Sequence, residues 1–300
     1  MHRYVVVGGG VAAAAAAEGI RSHDPDGPLL VLSRDNHAPY RRAPLTRDVW
    51  DGATTLAQLP VHADGWYAEH GVDLRLRREV VELDAAAHRV WDERGESYEF
   101  EQLLLATGAR PRRLAAEGAD ASGVRYFRDL EDYLDLEARL PHLQHLTVVG
   151  GGATAAELAG VLRARGAQVT LVLPEEYPLF RTLPRDLGTA LADHLRELGV
   201  ETVSGEALVR IEEAGGVLHA RTVNGNALDT QLVLVDQGGE AQDELAEAAG
   251  LDTDDGVVVD ALGRTSRPGV WAAGEVTEFP SPALGQLMRG EGVDHAERHG

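Results

Sequence analysis

Two six-residue stretches, Gly8-Gly9-Gly10-Val11-Ala12-Ala13 and Gly150-Gly151-Gly152-Ala153-Thr154-Ala155, share the pattern G-x-G-x-x-A and constrain the chain more than any other feature. Each follows an apolar run, Tyr4 to Val7 and Leu146 to Val149. Each opens a stretch with helical character: the alanine-rich Val11 to Ile20, and Ala155 to Arg165 with Leu158, Val161 and Leu162 on one face. In such a strand–turn–helix the first glycine makes the tight turn and the second lets the backbone approach a pyrophosphate. The small sixth residue lets helix and strand pack closely. The pyrophosphate then lies against unbonded N–H groups and the positive end of the helix dipole. One match is weak; two, each between a strand and a helix, predict two dinucleotide-binding units.

Leu29 to Leu32 and Val169 to Leu173 read as the second strand of each unit, so the fold class is α/β with two Rossmann-like domains. Three short strands are predicted in each unit, near Glu79 to Leu83, His88 to Trp91 and Ser97 to Phe100, and near Gly205 to Ile211, Gly216 to Val223 and Leu232 to Val235. Leu103 to Ala106, Gly256 to Asp260 and Val270 to Ala273 read as further strands, and Arg110 to Ala121 as a polar crossover. The expected division is residues 1–115 with 239–300 as one domain, and 116–238 as a second domain inserted into it.

The acid that ends the second strand of such a unit accepts hydrogen bonds from ribose hydroxyls and repels a 2′-phosphate. In the second unit it is Glu175, which favours NADH over NADPH; in the first, Arg34 takes the place, and either Asp35, which follows it, substitutes or backbone groups hold the ribose.

Composition removes whole classes of chemistry. The chain has no cysteine and all 28 of its basic residues are arginine. A redox-active thiol pair, a lysine Schiff base and a P-loop lysine are excluded. The net charge of -21 opposes nucleic acid and anionic membranes. No run of about 20 apolar residues is present and the N-terminus enters a strand at once, so no membrane span or signal peptide is expected and the location is read as cytoplasmic. The pairs His295/His299 and His142/His145 lack a third ligand, and no metal is expected. The clusters Arg75/Arg77/Arg78 and Arg110/Arg112/Arg113 are either solvated faces or a docking patch for an acidic electron carrier.

The segment Pro39-Tyr40-Arg41-Arg42-Ala43-Pro44-Leu45-Thr46-Arg47 resembles the PYxRPPLSK segment of the apoptosis-inducing factor and ferredoxin-reductase group of flavoproteins. Ala106-Thr107-Gly108-Ala109-Arg110-Pro111 resembles the ATG motif of that group, and Ala156-Glu157-Leu158-Ala159 the start of its NAD helix. Thr265 to Glu275 resembles its second flavin motif, and Arg289 and Glu291 the R-x-E that follows.

The resemblance implies FAD in the first domain, NADH in the second, and hydride transfer to flavin N5. Electrons would pass on to an external acceptor: a ferredoxin-like carrier, a quinone or O₂. Gly8, Gly10, Ala13, Asp35, Arg42, Val80, Thr107, Gly108, Arg110, Gly274 and Glu275 would contact FAD, and Gly150, Gly152, Ala155 and Glu175 would contact NADH. Arg47 takes the place of a lysine near the flavin ring, where a cation would stabilise the anionic reduced flavin, and Glu157 would be its ion-pair partner. Glu275 stands where the group has Asp, and Asp236 to Glu240 where it has V-G-x-x-P-N. These departures support a second reading, a non-catalytic or regulatory nucleotide-binding subunit with weakened flavin binding. The group also carries a C-terminal domain of roughly a hundred residues. The sequence stops short of it: either the domain is absent, or another chain supplies it, or this is an excerpt of a longer protein, and the expected partners are a second copy in a homodimer or a chain that supplies that domain.

Overall fold

The computed structural model describes residues 1–290 and 292–300; Glu291, expected to follow Arg289 in the R-x-E element, lies outside the described residues. Among the described residues no helix is long and apolar enough to cross a membrane. The chain divides into two compact units. One comprises Met1–Arg41, Ala57–Arg110 and Glu240–Gly300; the other comprises Arg42–Leu56 and Pro111–Gly239.

In the first unit the parallel sheet runs Val72–Arg75, Leu29–Leu32, His2–Val7, Ser97–Leu105, Val270–Ala272. Every residue of Leu29–Leu32 is buried, as a parallel strand covered on both faces requires. Ser97 to Phe100 and Leu103 to Ala106, expected as two strands, are one strand with two partners. Ser97 to Glu99 pair antiparallel with Arg89–Trp91, and from Phe100 onward the strand joins the parallel sheet beside His2–Val7, with Glu101 and Gln102 exposed just past the change. Val6, Ala13, Ala17, Leu29 and Val31 form the core between this sheet and the helix Val11–His23.

The second unit repeats the plan. Its parallel sheet runs Glu201–Ser204, Gln168–Leu173, His145–Val149, Leu232–Val235, Val124–Tyr126. The antiparallel trio Leu208–Ala214, Val217–Thr222, Ala227–Thr230 takes the place of the strands before Leu105. Two helices outside the glycine turns, Leu130–Arg139 and Arg185–Glu197, complete it. The first is held at its start by a reciprocal capping box between Asp129 and Asp132. Residues 42–56, expected in the first domain, pack with this unit. Trp50 tilts against Tyr133 at 4.8 Å between ring centroids, and the Arg165 guanidinium lies 5.6 Å from the Trp50 ring.

A buried cation fixes the far end of the first turn helix. Arg21, 8% exposed, donates from Nε to His70 O at 2.6 Å, from Nη1 to Asp24 O and Gly27 O, and from Nη2 to Gly71 O. Four carbonyls that helix and loops leave unbonded thereby find donors. Arg21→Met keeps the aliphatic stem and leaves those carbonyls unsatisfied. We expect a loss of about 3 kcal/mol in urea unfolding; a loss below about 1 kcal/mol would contradict this role.

Candidate nucleotide sites

The first glycine of each turn sits where no side chain fits. Gly8 has φ 142° and a Cβ on it would stand 2.1 Å from Ala106 O; Gly150 has φ 148° and its Cβ would stand 1.9 Å from Asp236 O. The second strand holds each turn from the other side, with Gly8 N donating to Leu32 O and Gly150 N to Val172 O, both at 2.9 Å. The middle glycines are closely approached as well: a Cβ on Gly9 would stand 1.9 Å from Ser33 Oγ and 2.7 Å from Ser33 Cβ, and one on Gly151 would stand 2.4 Å from Glu175 Oε2 and displace that carboxylate. Gly10 faces open space. Gly10 and Gly152 are the N-caps of helices Val11–His23 and Ala153–Ala164, and neither start has a side-chain cap hydrogen bond or an acid in its first turn. Ala13 and Ala155 are fully buried beneath the turns. Each unit thus offers a glycine cradle at a helix N-terminus, which fits a bound pyrophosphate.

The acids beside the cradles are placed differently. Glu175 lies against Gly151, and its buried Oε2 has no hydrogen-bond partner among the described residues, an acceptor facing the turn that a ribose hydroxyl would satisfy. In the first unit the exposed Arg34 turns away, 3.8 Å from Glu79. Asp35 stays half-buried beside Gly9 and accepts from His37 N at 3.0 Å. Asp35 rather than Arg34 is therefore the side chain available to a nucleotide there.

Distant segments of sequence close on the first cradle. Gly274, with φ 81°, lies so close to the turn helix that its Cβ would stand 3.0 Å from Ala12 Cβ. Glu275 next to it is half-buried. Thr107 Oγ1 donates to Gln242 O and Gln242 Nε2 donates to Thr107 O, both at 2.7 Å, which locks the turn at Gly108. Arg110 is ion-paired with Glu244 and Glu240, and Val80 is half-buried on the core of this unit. The other arginines of the two clusters are largely engaged as well. Arg75 pairs with Asp73 and Glu96, Arg78 with Asp92, and Arg113 covers the Tyr126 ring.

The segment 42–56 carries Arg42 and Arg47. Arg42 precedes the short helix Ala43–Thr46. Arg47 does not meet Glu157: its Nε lies 3.3 Å from Asp51, one helical turn on, while Glu157 accepts from Thr46 Oγ1 at 2.5 Å. Glu157 is also exposed rather than buried. The buried face of its helix is Ala155, Ala156, Leu158, Ala159, Val161 and Leu162, and position 157 falls outside that stripe. Among the described residues no group of three or more His, Asp or Glu could hold a metal ion.

The sequence profile of the family described as pyridine nucleotide-disulphide oxidoreductase matches residues 2–300. The ferredoxin–NAD(+) reductase component of the biphenyl dioxygenase system of Paraburkholderia xenovorans (strain LB400) is 36% identical over 282 residues, 94% of this chain and 69% of that protein. A ferredoxin reductase structure from Rhodopseudomonas palustris superposes with TM-score 0.95 at 27% identity, covering 100% of this chain and 74% of that one. The reductase of a covalent putidaredoxin reductase–putidaredoxin complex gives TM-score 0.92 at 27% identity, covering 99% of this chain and 72% of that one.

Gly150→Ala places a methyl on a backbone carbonyl at a left-handed φ, and neither can yield cheaply. We expect a loss of NADH binding by fluorescence titration and a thermal unfolding midpoint lowered by several degrees (about 2 kcal/mol or more). Unchanged binding and stability would contradict the close approach. A second expectation concerns the terminal helix Val293–His299 beside Gly274. Burial lowers the pKa of both His295 and His299 from the ordinary 6.5. Their neutral forms are favoured in the fold. Below about pH 6.5 the unfolded chain therefore binds protons that the folded chain resists, and stability falls as the pH drops. The urea midpoint of the wild type should decrease from about pH 7.5 to about pH 5.5, and more steeply than that of the His295→Gln/His299→Gln variant; equal slopes would contradict this.

Proposed function

Because the chain belongs to the pyridine nucleotide-disulphide oxidoreductase family, we propose that it is an NADH-dependent flavoprotein reductase acting on a small ferredoxin-like iron–sulfur carrier in the cytoplasm. The first cradle takes FAD and the second takes NADH. Bound FAD would accept an electron pair from NADH and release it in single steps to the carrier.

The observation that carries this reading is the duplicated cradle, with an acid of different placement beside each copy. Glu175, whose buried Oε2 has no partner among the described residues, accepts from the adenosine ribose of NADH and repels a 2′-phosphate. Asp35 does the corresponding work for FAD. Gly274 brings Glu275 to the start of the first turn helix, where the carboxylate reaches the ribityl chain. The locked Thr107–Gln242 pair holds the Thr107-Gly108 turn against the flavin. Arg42 contacts the pyrophosphate of FAD, and Arg110 and Val80 line the rest of its site. Arg47 supplies the positive charge that favours the anionic reduced flavin, and it cannot titrate in that role. Its i,i+4 partner Asp51, rather than Glu157, holds it in place. The choice of carrier is supported by the 36% identical reductase component of a dioxygenase system and by the reductase solved with putidaredoxin. Without cysteine, electrons have no internal disulfide through which to leave.

The test is steady-state reduction of a [2Fe–2S] ferredoxin, read through cytochrome c, with either nicotinamide cofactor. NADH should support turnover with a kcat/KM roughly tenfold or more above that of NADPH, a difference of about 1.4 kcal/mol. Glu175→Ala should narrow that ratio. Turnover with quinones or O₂ but none with the ferredoxin would overturn the choice of carrier, and a preference for NADPH would overturn the role of Glu175.

A further inference from the structure

The duplication makes the two cradles comparable position by position, and at one position they differ in kind. Ala106 and Asp236 occupy the same place. Each follows the return strand, and each donates its amide to the end of the first strand, Ala106 N to Val7 O at 2.8 Å and Asp236 N to Val149 O at 2.9 Å. Each turns its carbonyl onto the first glycine. The side chains are a methyl in the first unit and a carboxyl in the second. The helix residue opposite changes with it, since Ala12 of the first turn corresponds to Thr154 of the second.

The half-buried Asp236 carboxyl reaches over the helix start. Its Oδ2 lies 4.0 Å from where a Cβ on Gly152, the N-cap, would stand. The Thr154 hydroxyl and the amides of Ala155 and Gly238 face it, and Arg128 is the charged group that faces it. Burial raises its pKa against the pull of these donors and of Arg128. The other acid of this turn, Glu175, lies against Gly151. An aspartate so placed does for the helix start what a capping carboxylate does.

We propose that Asp236 is a built-in occupant of the second phosphate cradle: its carboxylate takes the place of the nucleotide pyrophosphate, which enters only as Asp236 turns away or takes up a proton. This rests on the reading of the second cradle as the NADH site. Two anions at one helix N-terminus repel, and the donors that satisfy one are denied to the other. Binding of the nucleotide is therefore coupled to proton uptake and strengthens as the pH falls. At the corresponding place the first cradle has the methyls of Ala106 and Ala12 instead of a carboxyl, and a cofactor there stays bound through turnover. The second, where nucleotide must enter and leave at every cycle, carries its own competitor.

The experiment uses the holoprotein and ADP-ribose, which carries the pyrophosphate and adenosine ribose of NADH but cannot reduce a flavin. Affinity is measured by calorimetry at about pH 8 and about pH 6, in two buffers of different ionisation enthalpy. The wild type should bind more tightly at the lower pH and take up protons on binding. Asp236→Asn should bind about tenfold more tightly than the wild type at the higher pH, with a flatter pH dependence and less proton uptake. Asp236→Ala, the residue of the first cradle, should do the same, with the visible spectrum unchanged. Equal or weaker binding by both variants, or proton uptake equal to that of the wild type, overturns the proposal. If neither wild type nor variants bind ADP-ribose, the assignment of NADH to this cradle falls first and the proposal with it.

Discussion

The close approach of a glycine to a carbonyl one strand away is the contact on which the rest of each unit depends. A Cβ at Gly8 would stand 2.1 Å from Ala106 O and one at Gly150 would stand 1.9 Å from Asp236 O. Because that side chain is absent, the first strand turns sharply into its helix directly over the sheet. The helix start then projects its unbonded amides past the strand ends. The buried Ala13 and Ala155 keep each helix pressed to its strand. The same geometry that closes the core therefore leaves a positive helix end whose N-cap is a glycine, and an anion is its natural complement.

What surrounds the cradles decides which ligand each one holds. Acids dominate the chain, with 49 Asp and Glu against 28 Arg, so any anion must be met by backbone amides and by arginines not already committed. Much of the guanidinium inventory is spent inside the protein: Arg21 on four carbonyls, Arg78 on Asp92, Arg110 on Glu240 and Glu244. The glycine cradles thus carry a larger share of anion binding than side chains do.

The local parts of this architecture were legible in the sequence because their causes are local. The two turns, their flanking strands and helices, and the acid Glu175 at the end of a second strand each follow from a few adjacent residues. The strand Ser97–Leu105 reads as two in the sequence because the exposed pair Glu101 and Gln102 interrupts its apolar pattern, whereas the backbone continues and only the pairing partner changes, just before Phe100. The helices Leu130–Arg139 and Arg185–Glu197 carry no motif and were passed over. The pairing of Arg47 with Glu157 was carried over from a resemblance, whereas the i,i+4 spacing of Arg47 and Asp51 was visible in the chain itself. No sequence pattern announces the Thr107–Gln242 lock, since 135 positions separate its members and only the fold brings them together. The equivalence of Ala106 and Asp236 lay within reach, because aligning the two units on their glycines and return strands sets one against the other.

In the reading proposed above, the first cradle holds FAD and the second NADH. The most direct measurement is the visible absorption spectrum of the purified protein during anaerobic titration with NADH. The account predicts flavin bands, present as purified or restored with added FAD, that bleach as NADH is added. A colourless protein that cannot be reconstituted with FAD, or flavin bands that NADH leaves unchanged, would contradict it.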